Sequence, residues 1–133
     1  QKDGYTCICL DEMHLFLRNP YMRKLLQSSV YRARKYNGMI GCCTQCVLQC
    51  LNSEYDEEVS AILDMSPTKF LFHPGPVDHD VIKDKLKLTD GESNYISNSH
   101  KGHCLVMAGH ERYAVHIGKM PHEDALFGSG GGR

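Results

Sequence analysis

An α/β domain with a mainly parallel sheet, flanking helices and a C-terminal antiparallel hairpin is the fold class this sequence predicts. Three observations lead there. The apolar run of residues 6–10 stops at two adjacent carboxylates, Asp11 and Glu12. A capped helical stretch then separates it from a second apolar run, residues 39–44. Strand, helix, strand with a crossover of this length argues for a parallel βαβ unit. Near the end, HCLVMA and RYAVHI flank Gly109-His110, the pattern of a hairpin.

Each element has a local reason. Residues 6–10, TCICL, read as a buried central strand that delivers acids to the sheet's C-terminal edge. Residues 13–17 are a short apolar segment. Asn19 as N-cap with Pro20 at the first helical position starts a helix. Its apolar stripe is Met22, Leu25, Leu26, Val30 and Ala33, and Asn37-Gly38 stops it. Residues 39–44, MIGCCT, form the second strand, ending at Gln45. Residues 46–51 read as a helical turn. Ser53 and Asp56, with acids at 54, 57 and 58, start a helix that buries Val59, Ile62 and Leu63 and ends at Ser66-Pro67. Residues 68–72 are a third strand and 73–76 a rigid turn. Residues 77–88 read as a surface helix. Thr89 to Glu92 is a capping box for a last short helix burying Tyr95 and Ile96. Residues 97–102 are a polar loop before the hairpin, on which Tyr113, Val115 and Ile117 share a face.

The 133 residues suit one domain. A hydrophobic content of 41% with 23% charged residues is ordinary for a globular protein. A net charge of −1 supplies no overall field toward nucleic acid or anionic lipid. No apolar run approaches the ~20 residues of a membrane helix. The chain opens on Gln with a strand almost at once and shows no signal peptide, so a fragment or processed piece is expected. GSGGGR at 128–133 reads as a flexible tail or cloning scar. Seven cysteines are present; Cys7, Cys9, Cys42, Cys43 and Cys104 stand in strand-like settings, where reduced thiols pack as small hydrophobes.

The chemistry concentrates at the strand ends. In P-loop nucleotide hydrolases the Asp of such a strand holds Mg²⁺, and a neighbouring Glu can act as general base. Side chains alternate along a strand, so Asp11 and Glu12 reach different groups. A solvated turn would also account for two acids. The βαβ unit would set Asp11, Glu12, Thr44 and Gln45 at one edge, where open α/β sheets bind ligands. Gln45 there can orient a water or sense a phosphate, or simply end the strand. Arg23, Lys24, Arg32, Arg34 and Lys35 lie off the helix stripe and suit a solvated basic face. Cys43, Cys46 and Cys50 have spacings open to zinc, but Cys42 and Cys43 sit in a strand rather than on a turn, and zinc is not expected. A Cys-His catalytic pair stays open, with no pairing specified; the histidines at 73, 79, 100, 103, 110, 116 and 122 read as solvated rather than ligating. The phosphate-cradling motif G-x-x-x-x-G-K-[ST] does not occur in the 133 residues; it lies upstream, or the edge is not a nucleotide site.

Taken in order, CLDEMHLFLRNP, RARKYNG, IGCCTQ, ILDMSPTKFLFHPG, Ser97-Asn98-Ser99 and GHCLVMAGHERYAVHI resemble the C-terminal half of the P-loop ATPase of conjugative type IV secretion systems, the VirB-four type. The likeness covers residues 5–122 and rests on order and spacing, not on any one motif. It implies an incomplete RecA-like P-loop domain over residues 1–127. It implies Asp11 as the Mg²⁺ carboxylate, Glu12 as the base that activates water, Gln45 as γ-phosphate sensor beside Thr44, and Arg34 or Arg32 acting on a neighbouring subunit's nucleotide. It implies ATP and Mg in the intact parent, and a cytoplasmic homo-hexamer peripheral to the inner membrane that works with other secretion-channel components, without direct sequence-specific nucleic-acid binding. The chain departs from that family in lacking the glycine loop and in carrying Cys46 where Asn or Ser is common, so alone it is expected to be inactive. Two other readings stand beside this one: a non-catalytic α/β interaction module, and a zinc-stabilised domain built on Cys43, Cys46 and Cys50.

Overall fold

The computed structural model describes residues 4–50, 56–75 and 78–123. The element order is β1 (Thr6–Leu10), α1 (Met13–Leu17), α2 (Pro20–Ala33), β2 (Gly38–Cys42), α3 (Val47–Cys50), α4 (Asp56–Asp64), β3 (Thr68–Leu71), α5 (His79–Leu86), α6 (Asp90–Ser97), β4 (His103–Ala108) and β5 (Glu111–His116). β1 and β2 pair in parallel, from Thr6 opposite Gly38 to Leu10 opposite Cys42. β3, β4 and β5 form a separate antiparallel sheet in that order. The α/β class, the parallel unit and the closing hairpin are those the sequence predicts. β3 joins the hairpin, with Thr68 opposite Ala108 and Leu71 opposite Leu105.

The start of α2 follows from its cap. Asn19 accepts hydrogen bonds from the N–H groups of Tyr21 and Met22 at 2.9 and 3.2 Å. A single 3-10 turn, Arg34–Tyr36, extends the helix, and Asn37 in the left-handed region (φ 50°) ends it. At α6 the capping box forms in full: the Thr89 hydroxyl accepts from Glu92 N–H and the Glu92 carboxylate accepts from Thr89 N–H. Lys87, at φ 52°, closes α5, which is shorter than the sequence suggested. Ser53 and Glu54 of the expected cap before α4, Val77, and the tail at 128–133 lie outside the described residues.

Two apolar clusters hold the fold. Met13, Leu17, Leu26, Cys50, Val59 and Ile62 bury together, with Leu10, Val30, Ile40, Cys42 and Leu63 packed at their border. Ile82, Leu88, Ile96, Leu105 and Met107 form the second, under the antiparallel sheet. Arg23 ties α2 to α4 through Glu58 (3.6 Å) and donates to the Leu17 carbonyl at 2.7 Å.

β1 is not the buried strand expected. Leu10, Ile40 and Cys42 face the first cluster, but residues 6–9 are exposed, and so is Met39. Among the described residues β1 has a partner strand on one side only, and burial of a parallel strand needs neighbours on both edges and layers on both faces. The thiols divide accordingly. Cys50 and Cys104 are buried, Cys42 and Cys46 half-buried, and Cys7, Cys9 and Cys43 exposed; all seven are free. Of the hairpin's expected apolar face, Tyr113 and Ile117 are both 50% exposed. Among the described residues no helix is long and apolar enough to cross a membrane.

Candidate functional site at the carboxyl edge of the parallel pair

Backbone hydrogen bonds bring the ends of β1 and β2 together. Cys43 N–H donates to the Leu10 carbonyl and Met13 N–H to the Cys43 carbonyl, both at 2.8 Å. These bonds carry the pairing past the last strand residues. Asp11, Glu12, Thr44 and Gln45 therefore stand at one edge.

Asp11 is exposed and its Oδ1 accepts the Glu12 N–H at 3.0 Å. Glu12 makes the turn from β1 into α1 in the left-handed region (φ 51°, ψ 51°). A non-glycine residue pays for that conformation, and such residues concentrate where a side chain must be aimed. The Glu12 Oε2 atom is buried and has no hydrogen-bond partner among the described residues. His14 Nδ1 lies 3.2 Å away. The contact is one of proximity; the hydrogen bond of His14 Nδ1 is with Thr44.

Thr44 is the hub on the β2 side. Its Oγ1 accepts the Cys46 N–H at 3.2 Å and the Cys50 S–H at 3.5 Å, and lies 3.3 Å from His14 Nδ1. Burial pushes the thiol pKa of Cys50 up; the Thr44 contact works against that shift. Burial, with the neighbouring Cys43, raises Cys42 as well. Gln45 follows on an exposed bend.

His14 is the residue that sequence reasoning missed. It is 8% exposed, on α1, between Glu12 and Thr44. The only signal is its position two residues after the acid pair, inside an otherwise apolar segment. Several other histidines expected to be solvated have partners: His73 Nδ1 meets the Ile96 carbonyl at 3.1 Å, His79 Nε2 meets Ser93 Oγ at 2.8 Å, and His103 stacks on His116 with ring centroids 4.3 Å apart.

Arg32 and Arg34 are not brought to this edge. Both are exposed at the C-terminal end of α2, which leads into Gly38 opposite Thr6. That is the far end of the parallel pair, roughly 13 Å of strand away from the acids. Among the described residues no group of three or more His, Cys, Asp or Glu is arranged to hold a metal ion.

No family model and no curated protein matches the chain. A solved structure does. The chain superimposes on VirB4 of Thermoanaerobacter pseudethanolicus with a TM-score of 0.83 and 28% sequence identity, over 90% of this chain. Its structural neighbour is VirB4. That is the family the ordered motifs resemble, and the two sheets with their helices match part of the VirB4 fold. The match takes in 33% of the VirB4 chain, so this chain spans about a third of that protein's length.

Proposed function

We propose that residues 1–127 are the C-terminal part of a P-loop ATPase domain from a VirB4-type motor of type IV secretion. One observation carries the reading: Asp11, Glu12, Thr44 and Gln45 share the carboxyl edge of a parallel pair, within a fold that matches VirB4. In this reading Asp11 contributes to Mg²⁺, Glu12 is the base for the attacking water, and Gln45, held beside Thr44, senses the γ-phosphate. Bound ATP·Mg supplies the phosphoanhydride to be cleaved and the cation that offsets its charge.

The residues fit that group. Mg²⁺ in nucleotide sites is held through one or two carboxylates plus the phosphates rather than by an all-protein cage. An exposed oxygen donor at a strand end is the right kind of ligand, and the lack of a three-residue cluster among the described residues is compatible with it. The glycine loop belongs in this reading to sequence upstream of residue 1. Arg34 or Arg32, at the far edge, reaches the nucleotide of a neighbouring subunit in a homo-hexamer. The assembly sits at the cytoplasmic face of the membrane with other channel components.

The test uses a natural polypeptide that includes the glycine loop. Glu12→Gln is expected to abolish Mg-dependent hydrolysis while ATP still binds. Hydrolysis at the parent rate in that variant sinks the assignment. A parent that shows no saturable ATP binding returns the chain to the class of non-catalytic interaction modules.

A further inference from the structure

We propose that Cys7, Cys9 and Met39 form a binding site for a soft monovalent cation, Cu(I), on the exposed face of the parallel pair. The proposal goes beyond the ATPase reading and uses none of the residues assigned there.

The register puts these sulfurs on one face. Side chains alternate along a strand, and residues paired between neighbouring strands share a face. Leu10, Ile40 and Cys42 border the first apolar cluster, so their face is turned inward. Cys7 and Cys9 stand on the other face, with Met39 opposite Cys7 and Gly41 opposite Cys9. Both cysteines are exposed, and Met39 is 63% exposed. Sulfur thus occupies three of these four positions, and the fourth is a glycine. A Cβ at Gly41 would lie 3.9 Å from Cys9 Sγ, so the glycine leaves that side of the thiol open.

The spacing of the two thiols fits a bridging ion. Their Sγ atoms are 3.8 Å apart. Two metal–sulfur bonds of about 2.3 Å that meet at roughly 110° span about 3.8 Å. A disulfide would require the sulfurs to close to about 2.05 Å. Met39 supplies the third donor. Neighbouring strands lie about 4.8 Å apart, and an unbranched thioether side chain adapts across that distance. Thiolate and thioether together select Cu(I). Zinc takes thiolate, imidazole or carboxylate and would leave Met39 idle. Among the described residues no three of His, Cys, Asp or Glu are placed for a metal, so a thioether is what completes this site. In the resting chain the hydrogen bond with Cys9 holds the Cys7 thiol above its ordinary pKa, so Cys7 keeps its proton near neutral pH. Uptake breaks two S–H bonds, forms two thiolate–copper bonds and one thioether–copper bond, and releases two protons to water; no electron moves. Binding therefore weakens as pH falls.

The test uses the chain as it stands, reduced and free of oxygen, titrated with Cu(I) held by the chromophoric chelator bicinchoninate. The wild type is expected to withdraw one equivalent, and X-ray absorption at the copper edge to show three sulfur neighbours at about 2.3 Å. Cys7→Ser and Cys9→Ser are each expected to abolish withdrawal, with far-UV circular dichroism unchanged because both positions are exposed. Met39→Leu should weaken withdrawal at least about tenfold, the low end for losing even an indirect partner of a metal. Cys43→Ser, at the third exposed thiol, should leave it unchanged. A wild type that leaves the copper with the chelator, or copper with fewer than two sulfur neighbours, overturns the proposal, and that measurement needs no variant to fold. Full withdrawal by a chain carrying both Cys7→Ser and Cys9→Ser places copper on other thiols and sinks it as well. If Met39→Leu binds as the wild type does, the thioether is not a ligand and the assignment to Cu(I) fails. The activity of Glu12→Gln decides the ATPase reading separately and has no bearing on copper.

Discussion

Leu17→Ala should be among the most damaging single truncations in the parallel half of the molecule. Leu17 is fully buried on α1, the short helix that also carries His14. It lies in the cluster with Met13, Leu26, Cys50, Val59 and Ile62. Removing a fully buried leucine side chain costs its transfer free energy plus a cavity term, about 2–5 kcal/mol in all. Met13 is a flexible neighbour able to fill part of the void. The estimate therefore sits near the middle, about 3 kcal/mol. With a urea slope of about 1.5 kcal/mol/M for a domain of this size, the unfolding midpoint should fall by about 2 M. Equilibrium urea unfolding followed by far-UV circular dichroism measures this. Ile96→Ala, fully buried in the second cluster, is the companion and should cost a similar amount. A midpoint shift below about 0.5 M for Leu17→Ala, under 1 kcal/mol at that slope, would refute the packing argument. So would an unchanged midpoint with a changed slope, which would mean the variant had altered the unfolded ensemble instead.

Three further outcomes follow from the same contacts. Thr89→Ala removes one half of the α6 capping box and should cost about 1 kcal/mol in the same assay; a loss under about 0.3 kcal/mol would mean the exposed box contributes nothing beyond water. A membrane-impermeant thiol reagent should label Cys7, Cys9 and Cys43 quickly in the native chain and spare Cys50 and Cys104, with all seven reacting in denaturant; burial, which also raises the Cys50 and Cys104 pKa, is the cause, and equal native rates would contradict it. The Lys83 ammonium lies 2.7 Å from the Asp90 carboxylate and holds its pKa below the ordinary 3.8. A depressed carboxylate pKa stabilises the folded state above the unfolded value, and that contribution disappears as pH falls through the folded value. Lys83→Met should therefore flatten the acid limb of the stability–pH curve below about pH 4, and an unchanged limb would show that the exposed pair is screened out.

The elements with local signals were legible in the sequence, and those decided by distant partners were not. Asn19-Pro20, Asn37 and the Thr89–Glu92 box each specify an end with their own side chains, and α2 and α6 formed where those residues said. The hairpin at Gly109-His110 was equally readable, since Glu111 to His116 need only their neighbours three to thirteen residues back. The pairing of β3 was not. Thr68 meets Ala108 across forty residues of chain, and nothing in TKFL states which sheet it will join. Residues 13–17 carry five positions with too few polar ones to show a period, so a helix there was invisible.

The site was half legible for the same reason. The acid pair and the Thr44-Gln45 end stand out because strands place their last residues at an edge, and a βαβ unit aligns two such edges whatever else surrounds it. His14 reaches Thr44 at 3.3 Å, and its place comes from α1 folding back after a left-handed Glu12, a conformation that the residue type does not announce. The same logic separates the arginines from the acids. A right-handed crossover must return the chain to the start of the next parallel strand, so residues at the end of α2 are carried to the Thr6–Gly38 edge and away from Asp11. Arg32→Ala and Arg34→Ala, made separately, should therefore leave the fold's stability within about 0.5 kcal/mol, as expected of exposed positions. In the hydrolysing parent their effect should appear only when subunits assemble. Mixing an Arg variant with a Glu12→Gln partner would then restore activity at mixed interfaces, because each subunit supplies what the other lacks. If the mixture is no more active than the sum of its parts, neither arginine acts across the interface.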